Sequence, residues 1–255
     1  VFGTRPEAIK MAPVVKALIA SEGIEPFTCV TGQHRTMLDQ VLGLFNITPD
    51  YDLDVMQANQ TLNGLTARVI SRLDPILDEL KPDYVLVHGD TTTAMAACVA
   101  ALHRNVRVGH VEAGLRTYNL QKPWPEEMNR RIIDVGAAKL FAPTRSSADN
   151  LRSERIEGEI IVTGNTVIDA LKETVERIRT DAVLSGQLQE SFSFIKPDQR
   201  VLLVTGHRRE SFGDGFLNIC RALAELSTRR DLQIVYPVHL NPNVQGPVKE
   251  LLSNH

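Results

Sequence analysis

Two carboxylates follow successive buried strands in the stretch VHGDTTTAMAACVAALHRNVRVGHVEAGLRT, residues 87–117. Asp90 comes directly after the first apolar run, and Glu112 ends the second run with glycines on both sides. Acidic side chains are poor strand residues and are costly to bury. Their position indicates that this edge of the protein either transfers protons or binds a positively charged group.

Basic and titratable side chains follow other strands. The segment FGTRPEAIK places Arg5 and Lys10 at the start of a helix, and TGHRRESFG places His207 and Arg208 directly after an apolar run. Backbone N–H groups at a helix start, together with Arg or Lys side chains, are typical of anion sites. These loops predict an anionic ligand such as a diphosphate, and YPVHLNPNV repeats the pattern with His239.

Ordinary structural roles compete with this chemical interpretation. Asp90, or a threonine after it, can cap a helix, and Glu126 lies in PWPEEMNRR, which makes a good first helical turn. Arg5 can be a surface residue, and isolated histidines such as His88 and His110 are more often satisfied core or surface groups. The charged and titratable residues of TGHRRESFG have the weakest structural explanation.

The chain alternates short apolar runs with helical stretches, which is the pattern of parallel sheets covered by helices on both faces. The predicted strands are FTCV, YVLVHG, VRVGHV, KLFAPT, IIVTG, VLLVTG and LQIVYPV. In such sheets, ligands bind beyond the C-terminal ends of the strands. We therefore expect Arg5, Asp90 and Glu112 to share one edge, with Glu126 as a further candidate.

The alternation breaks in the polar stretch between Thr180 and Gln199, which we interpret as a hinge. We predict a first Rossmann-like domain over residues 1–170, a linker over 171–199 and the start of a second, nucleotide-binding domain over 200–255. The chain opens without a methionine and closes on the helical segment PVKELLSNH, so we expect the second domain to be incomplete.

The composition argues against several classes of protein. With 255 residues, a net charge of -3 and no run of about 20 apolar residues, the chain gives no reason to expect nucleic-acid binding or a membrane span. Its three cysteines lie far apart in apolar segments, which indicates reduced core residues in a cytoplasmic protein. No Cys/His cluster indicates a metal site, and GNTVID is too loose to be a dinucleotide fingerprint.

The motifs occur in an order that resembles one family. They are FGTRPEAIKMAPVV, QHRTMLDQVL, LVHGDTTT, GHVEAGLRT, PWPEEMNRR, VTGNTVIDAL, VTGHRRESFG and QIVYPVHLNPNV, and they span almost the whole chain. Together they resemble the bacterial, non-hydrolysing UDP-N-acetylglucosamine 2-epimerases. The resemblance implies two Rossmann-like, doubly wound parallel-sheet domains around a cleft, as in the glycosyltransferase-B type of fold, with the second domain incomplete here.

The resemblance also implies an isomerase that interconverts UDP-N-acetylglucosamine (UDP-GlcNAc) and UDP-N-acetylmannosamine (UDP-ManNAc) for cell-surface polysaccharide biosynthesis. Enzymes of this family eliminate UDP from the bound UDP-sugar to give enzyme-bound 2-acetamidoglucal, and then add UDP back. It works as a homodimer and uses no metal or nicotinamide cofactor. Because family members continue beyond His255 with a segment that helps hold UDP, we expect the 255-residue chain alone to be inactive.

Residue roles follow from the same resemblance. The positions that match the family's catalytic residues are Asp90, Glu112, Glu126 and His207. The positions that match its substrate-binding residues are Arg5, Lys10 and Arg208. The positions that match its activator site, where a further UDP-GlcNAc binds, are Gln33, Gln60, Arg208, Glu210 and His239.

Other functions remain open at this point. A UDP-sugar glycosyltransferase of the same fold would need an acceptor, and a hydrolysing epimerase would release free N-acetylmannosamine. A non-catalytic fragment would bind nucleotide sugars without exchanging the proton at carbon 2. Incubation with UDP-GlcNAc alone separates these functions, because epimerisation needs no acceptor.

Overall fold

The computed structural model describes residues 1–32, 35–57, 60–205, 213–238 and 242–253. The chain forms two compact units, Val1–Glu176 and Arg177–His255. The strands of the first unit are β1 (Cys29–Val30), β2 (Tyr51–Asp52), β3 (Tyr84–His88), β4 (Arg107–Val111), β5 (Lys139–Ala142) and β6 (Glu159–Val162). Its helices are α1 (Arg5–Ile19), α2 (Arg35–Phe45), α3 (Leu62–Leu80), α4 (Thr92–His103), α5 (Glu126–Gly136) and α6 (Arg145–Ser153), and α7 (Val167–Thr180) begins in it.

All strand pairs of the first unit are parallel. β1 pairs with β2, and the other strands form a sheet in the order β3-β4-β5-β6. Phe2 makes an isolated parallel bridge with Val30, and the ammonium group of Val1 donates to the Leu86 carbonyl at 2.8 Å. The N-terminal residues therefore join the two groups of strands.

The register of β3 and β4 brings the two acidic loops together. Their pairing runs from Tyr84 opposite Arg107 to His88 opposite Val111. Asp90 and Glu112 therefore follow the ends of adjacent parallel strands. This arrangement confirms the expectation that both residues lie at one edge of the sheet.

Helix α4 lies between α3 and α5 and holds the start of this edge in place. Its alanine-rich sequence buries Ala96, Ala97, Cys98 and Ala101 completely. Small side chains allow neighbouring helices to approach closely, so α4 is fixed on both sides. The residues that lead into α4, including Asp90, are therefore anchored by its packing.

The second unit also has parallel strands. Its elements are α8 (Ala182–Ser191), β7 (Arg200–Leu203), α9 (Asp214–Ser227), β8 (Leu232–Val235) and α10 (Pro242–Leu252), and β7 pairs with β8. Phe216, Cys220 and Val244 form its buried cluster. The predicted mixed α/β class with parallel sheets is thus confirmed.

Two elements differ from the pattern expected from the sequence. Strand β2 has only two residues and gives no apolar run. Helix α8 lies inside the predicted linker, where Asp181 caps it by accepting from the N–H groups of Val183 and Leu184. None of the α8 residues is buried, so the helix carries no apolar periodicity that sequence analysis could detect.

Candidate active site

The N-terminal loop differs from the expectation that its backbone N–H groups bind an anion. The carboxylate of Glu7 accepts from the backbone N–H groups of Gly3 at 3.0 Å and Thr4 at 2.7 Å, and from the hydroxyl of Thr91 at 2.7 Å. Burial raises the pKa of Glu7, although these hydrogen bonds oppose the rise. The N–H groups of Gly3 and Thr4 are therefore occupied and are not open to a diphosphate, whereas the side chain of Arg5 is exposed.

Glu112 lies in a tight turn directly after β4. Its φ is 68°, in the left-handed region that few non-glycine residues adopt, and Gly114 follows with a φ of 82°. The Oε1 atom of Glu112 accepts from Lys10 Nζ at 2.5 Å and from Asn165 Nδ2 at 2.8 Å. Burial opposes ionisation of Glu112, but these partners outweigh it and hold its pKa below the usual range, so the group is a carboxylate near neutral pH.

Asp90 is not the helix cap that the sequence allowed. Thr91 caps α4 by accepting from the Ala94 N–H at 3.0 Å, and the Asp90 carboxylate instead contacts Arg130 at 2.6 Å. Burial raises the pKa of Asp90, with Arg130 opposing the rise and the carboxylates of Glu126 and Glu112 adding to it. Adjacent loops therefore carry two carboxyl groups whose pKa values move in opposite directions, which is typical of acid–base pairs.

Glu126 is the first residue of α5, and it differs from its neighbour Glu127. The oxygens of Glu127 accept from the N–H groups of Thr117 at 3.0 Å and Tyr118 at 3.1 Å, so this buried side chain holds a loop. The Oε2 atom of Glu126 is buried without a hydrogen-bond partner in the described part of the chain. A buried carboxylate oxygen with free hydrogen-bonding capacity favours a ligand-binding or proton-transfer role for Glu126.

His88 is a residue that sequence reasoning missed. It is 3% exposed, both of its ring nitrogens lack a hydrogen-bond partner among the described residues, and its Nε2 lies 3.7 Å from Glu112 Oε2. Burial lowers the pKa of His88 to about 4, so the ring is neutral near pH 7. By contrast, His110 is the satisfied core histidine that we expected, since its ring nitrogens contact Asp134 and the Gly89 carbonyl.

The buried His88 predicts an acid-sensitive fold. The pKa of His88 is lowered from 6.5 to about 4 by folding. Between these two pH values, His88 is protonated in the unfolded chain and neutral in the folded chain. The free energy of unfolding is therefore unaffected by His88 above pH 6.5 and decreases as the pH drops towards 4, by up to about 3 kcal/mol. Urea denaturation at pH 7 and pH 4.5 should show this loss, and His88→Asn should reduce it.

The exposed His103 at the end of α4 supplies the control for this measurement. The variant His103→Asn should keep the full pH dependence of the free energy of unfolding. Equal slopes for wild type and His88→Asn between pH 6.5 and 4.5 would contradict the prediction.

Several residues with expected roles lie outside the described residues. They are Gln33, His207, Arg208, Glu210 and His239. Gln60 is described, and its side-chain oxygen accepts from Arg68 Nη2 at 2.6 Å. The substrate-binding and activator roles of these residues therefore stay predictions.

A cavity of about 300 Å³ lies beside the starts of α3, α4 and α5 within the first unit. Its lining includes Thr92, Met95, Trp124, Pro125 and Asn129, and none of the lining side chains is ionisable. The Nδ2 of Asn129 donates to the Asp90 carbonyl at 2.9 Å, while its Oδ1 is buried with no partner in the described ranges. The cavity therefore suits an uncharged group, and not a diphosphate.

Among the described residues, no group of three or more His, Cys, Asp or Glu side chains could hold a metal ion. No helix in the same part of the chain is long and apolar enough to cross a membrane. Cys29, Cys98 and Cys220 are free and buried.

The parallel α/β fold, with acid–base groups gathered beyond the ends of adjacent strands, defines a Rossmann-like enzyme. Residues 16–255 match the family model for UDP-N-acetylglucosamine 2-epimerase. The UDP-N-acetylglucosamine 2-epimerase of Escherichia coli K12 is 55% identical over 256 residues, which cover 100% of this chain and 68% of the relative. The chain therefore belongs to the UDP-N-acetylglucosamine 2-epimerase family.

Solved structures agree with this assignment. The crystal structure of the Neisseria meningitidis enzyme bound to UDP-GlcNAc matches with a TM-score of 0.92 at 51% identity, covering 99% of this chain and 68% of that chain. The Methanocaldococcus jannaschii enzyme in complex with UDP-GlcNAc and UDP matches with a TM-score of 0.77 at 29% identity, covering 98% and 67%.

Proposed function

We propose that this protein inverts carbon 2 of UDP-GlcNAc to give UDP-ManNAc, and catalyses the reverse reaction. The observation that carries the proposal is the placement of two carboxyl groups, Asp90 and Glu112, directly after adjacent parallel strands in a chain of this family. The pKa of Glu112 is lowered and that of Asp90 is raised, which agrees with different roles for the two groups. Such a pair can remove a proton from one face of a sugar ring and supply one from the other.

In the proposed elimination step, a carboxylate takes the proton from carbon 2. The electrons of the C–H bond form a double bond between carbons 1 and 2, and the bond between carbon 1 and the UDP oxygen breaks. UDP leaves with that electron pair, and 2-acetamidoglucal remains. Re-addition of UDP to carbon 1, with return of a proton to the other face of carbon 2, completes the inversion.

We assign the base role towards UDP-GlcNAc to Glu112, because Lys10 and Asn165 keep it ionised. Asp90 takes the acid role, because it lies on the adjacent loop and burial raises its pKa above the usual range. The unpartnered oxygen of Glu126 supports a third role, in holding or relaying the proton between them. The roles of Glu112 and Asp90 exchange in the reverse reaction.

The uncharged lining of the cavity supports a place for the sugar. Arg5, His207 and Arg208 each keep the diphosphate-binding role that the family resemblance implies, in which positive charge stabilises the leaving UDP. The activator residues Gln33, Gln60, Arg208, Glu210 and His239 belong to the same proposal. A homodimer and a cytoplasmic location, both implied by the family resemblance, complete it.

Incubation of the full-length enzyme with UDP-GlcNAc alone in deuterated water tests the function. We expect UDP-ManNAc that carries deuterium at carbon 2, because a carboxyl proton exchanges with solvent before it returns. Product detected only after an acceptor is added would instead indicate a glycosyltransferase. Release of free N-acetylmannosamine would indicate a hydrolysing epimerase.

A further inference from the structure

We propose that Asp134 is a positioning residue that holds the Asp90 and Glu112 loops in register. This inference rests on the proposed function, since it concerns the residues assigned to proton transfer. Asp134 lies on α5 and is fully buried, and none of the motifs recognised in the sequence gives it a role. Each of its two carboxylate oxygens makes contacts that connect it to one of the two acidic loops, the loop that carries Asp90 and the loop that carries Glu112.

The first contact runs to the Asp90 loop through His110. The Oδ1 atom of Asp134 lies 2.6 Å from His110 Nδ1, and His110 Nε2 lies 2.7 Å from the Gly89 carbonyl oxygen. Gly89 directly precedes Asp90 and has a φ of 64°. The imidazole ring therefore links Asp134 to the backbone that sets the direction of Asp90.

The second contact runs to the Glu112 loop. The Oδ2 atom of Asp134 accepts from the Gly114 N–H at 3.3 Å and contacts Arg116 Nη1 at 2.7 Å. Gly114 lies two residues after Glu112 and closes the same tight turn. One carboxylate thus restrains the backbone on the C-terminal side of Glu112 and on the N-terminal side of Asp90.

The network buries several polar groups around Asp134. A carbonyl oxygen only accepts, so His110 Nε2 donates to Gly89. Arg116 contacts Asp134 and binds Glu154 through two hydrogen bonds of 2.8 Å. Buried charges are costly and contribute little net stability even when paired, so the network calls for another explanation.

The positions of the acidic residues supply that explanation. Helix α5 carries Glu126 at its first residue, Arg130 against Asp90, and Asp134 one turn further on. The contacts of Asp134 fix this helix to both acidic loops. The positions of Asp90, Glu112 and Glu126, the three proposed proton-transfer groups, are therefore fixed relative to one another. Proton transfer at carbon 2 needs such precision, because a displacement of about 1 Å can cost about 10²-fold in rate.

Asp134→Asn and Glu154→Gln form a matched pair for testing the proposal in the full-length enzyme. Each variant removes one negative charge beside Arg116, but only Asp134 reaches the acidic loops. We expect Asp134→Asn to lower kcat by about 10- to 100-fold with KM within about twofold of wild type, because the reacting groups move while the binding groups stay. Glu154→Gln should keep kcat within about twofold.

His110→Asn removes the link to Gly89 and should lower kcat by a similar factor. The double variant His110→Asn/Asp134→Asn should fall no further than Asp134→Asn alone, because His110 acts only through Asp134. If Asp134→Asn does not fold, His110→Asn carries the same test. Additive losses, or equal losses of kcat in Asp134→Asn and Glu154→Gln, would overturn the positioning role.

Hydrogen exchange provides a readout that does not depend on activity. Backbone amides in residues 87–92 and 111–116 should exchange faster in Asp134→Asn and His110→Asn than in wild type, and at the wild-type rate in Glu154→Gln. Failure of the wild-type enzyme to epimerise UDP-GlcNAc would refute the proposed function, while this exchange pattern would still test the network. Unchanged exchange in both network variants would overturn the proposal, whatever the activity.

Discussion

Replacing Glu112 by glutamine is expected to lower kcat by about 10²–10⁴-fold in the full-length enzyme, which is the usual contribution of a general acid or base. The amide keeps nearly the same shape, and its oxygen can still accept from Lys10 and Asn165. It cannot accept a proton from carbon 2. Steady-state rates with UDP-GlcNAc, combined with circular dichroism to confirm folding, would measure the effect.

Glu127→Gln is the matched control for this prediction. Glu127 is also a buried carboxylate near this edge, but its oxygens accept from the backbone N–H groups of Thr117 and Tyr118. The amide can accept through only one oxygen, so this variant should lose stability and keep its turnover per folded molecule. A Glu112→Gln variant with near-wild-type kcat would remove Glu112 from the proposed chemistry.

The sequence could predict the edge at which the acidic residues meet. The runs before Asp90 and Glu112 are short and apolar without alternation, and two such runs joined by a helix favour buried parallel strands. Because parallel strands end at the same edge, the proximity of these residues followed from the pattern without any tertiary information. Their competing role as helix caps could not be decided in this way, since either Asp90 or Thr91 suited the cap position.

The partners of the site residues could not be predicted, because they come from distant parts of the chain. Lys10 suggested an anion site next to its own loop, yet it contacts Glu112, which lies 102 positions away. Glu7 similarly contacts Thr91, 84 positions away. Sequence patterns report which elements form and which face is buried, but they do not report which side chains meet across the sheet.

His88 shows the same limit for a single residue type. Its type and its place at the end of a strand are equally compatible with a satisfied core histidine, which is what His110 proved to be. The difference lies in the neighbours, since Asp134 faces His110 and no hydrogen-bond partner within the described residues faces His88. The one available signal was its position two residues before Asp90.

The second large effect is expected from Gly114, which closes the turn that holds Glu112. Gly114 has a φ of 82°, and a Cβ atom there would lie 2.3 Å from the Ser147 carbonyl oxygen and 2.9 Å from Leu151 Cγ. A backbone carbonyl cannot move aside as a flexible side chain can, so Gly114→Ala combines backbone strain with a steric clash. We expect it to lower the free energy of unfolding by about 2–5 kcal/mol, the sum of about 1–2 for the left-handed backbone and about 1–3 for overpacking.

The variant Gly164→Ala separates the backbone strain of Gly114→Ala from its steric clash. Gly164 has a φ of 83°, and a Cβ atom added there would have nothing within 4 Å among the described residues. This variant should cost only the backbone strain of about 1–2 kcal/mol, so urea denaturation should show Gly114→Ala to be less stable than Gly164→Ala by about 1–3 kcal/mol. Gly114→Ala should also lower kcat in the folded enzyme, because the clash displaces the turn that carries Glu112. Equal losses of stability in the two variants would mean that the turn at Gly114 moves away from α6 without an energetic cost. The turn would then be too flexible to position Glu112 as proposed.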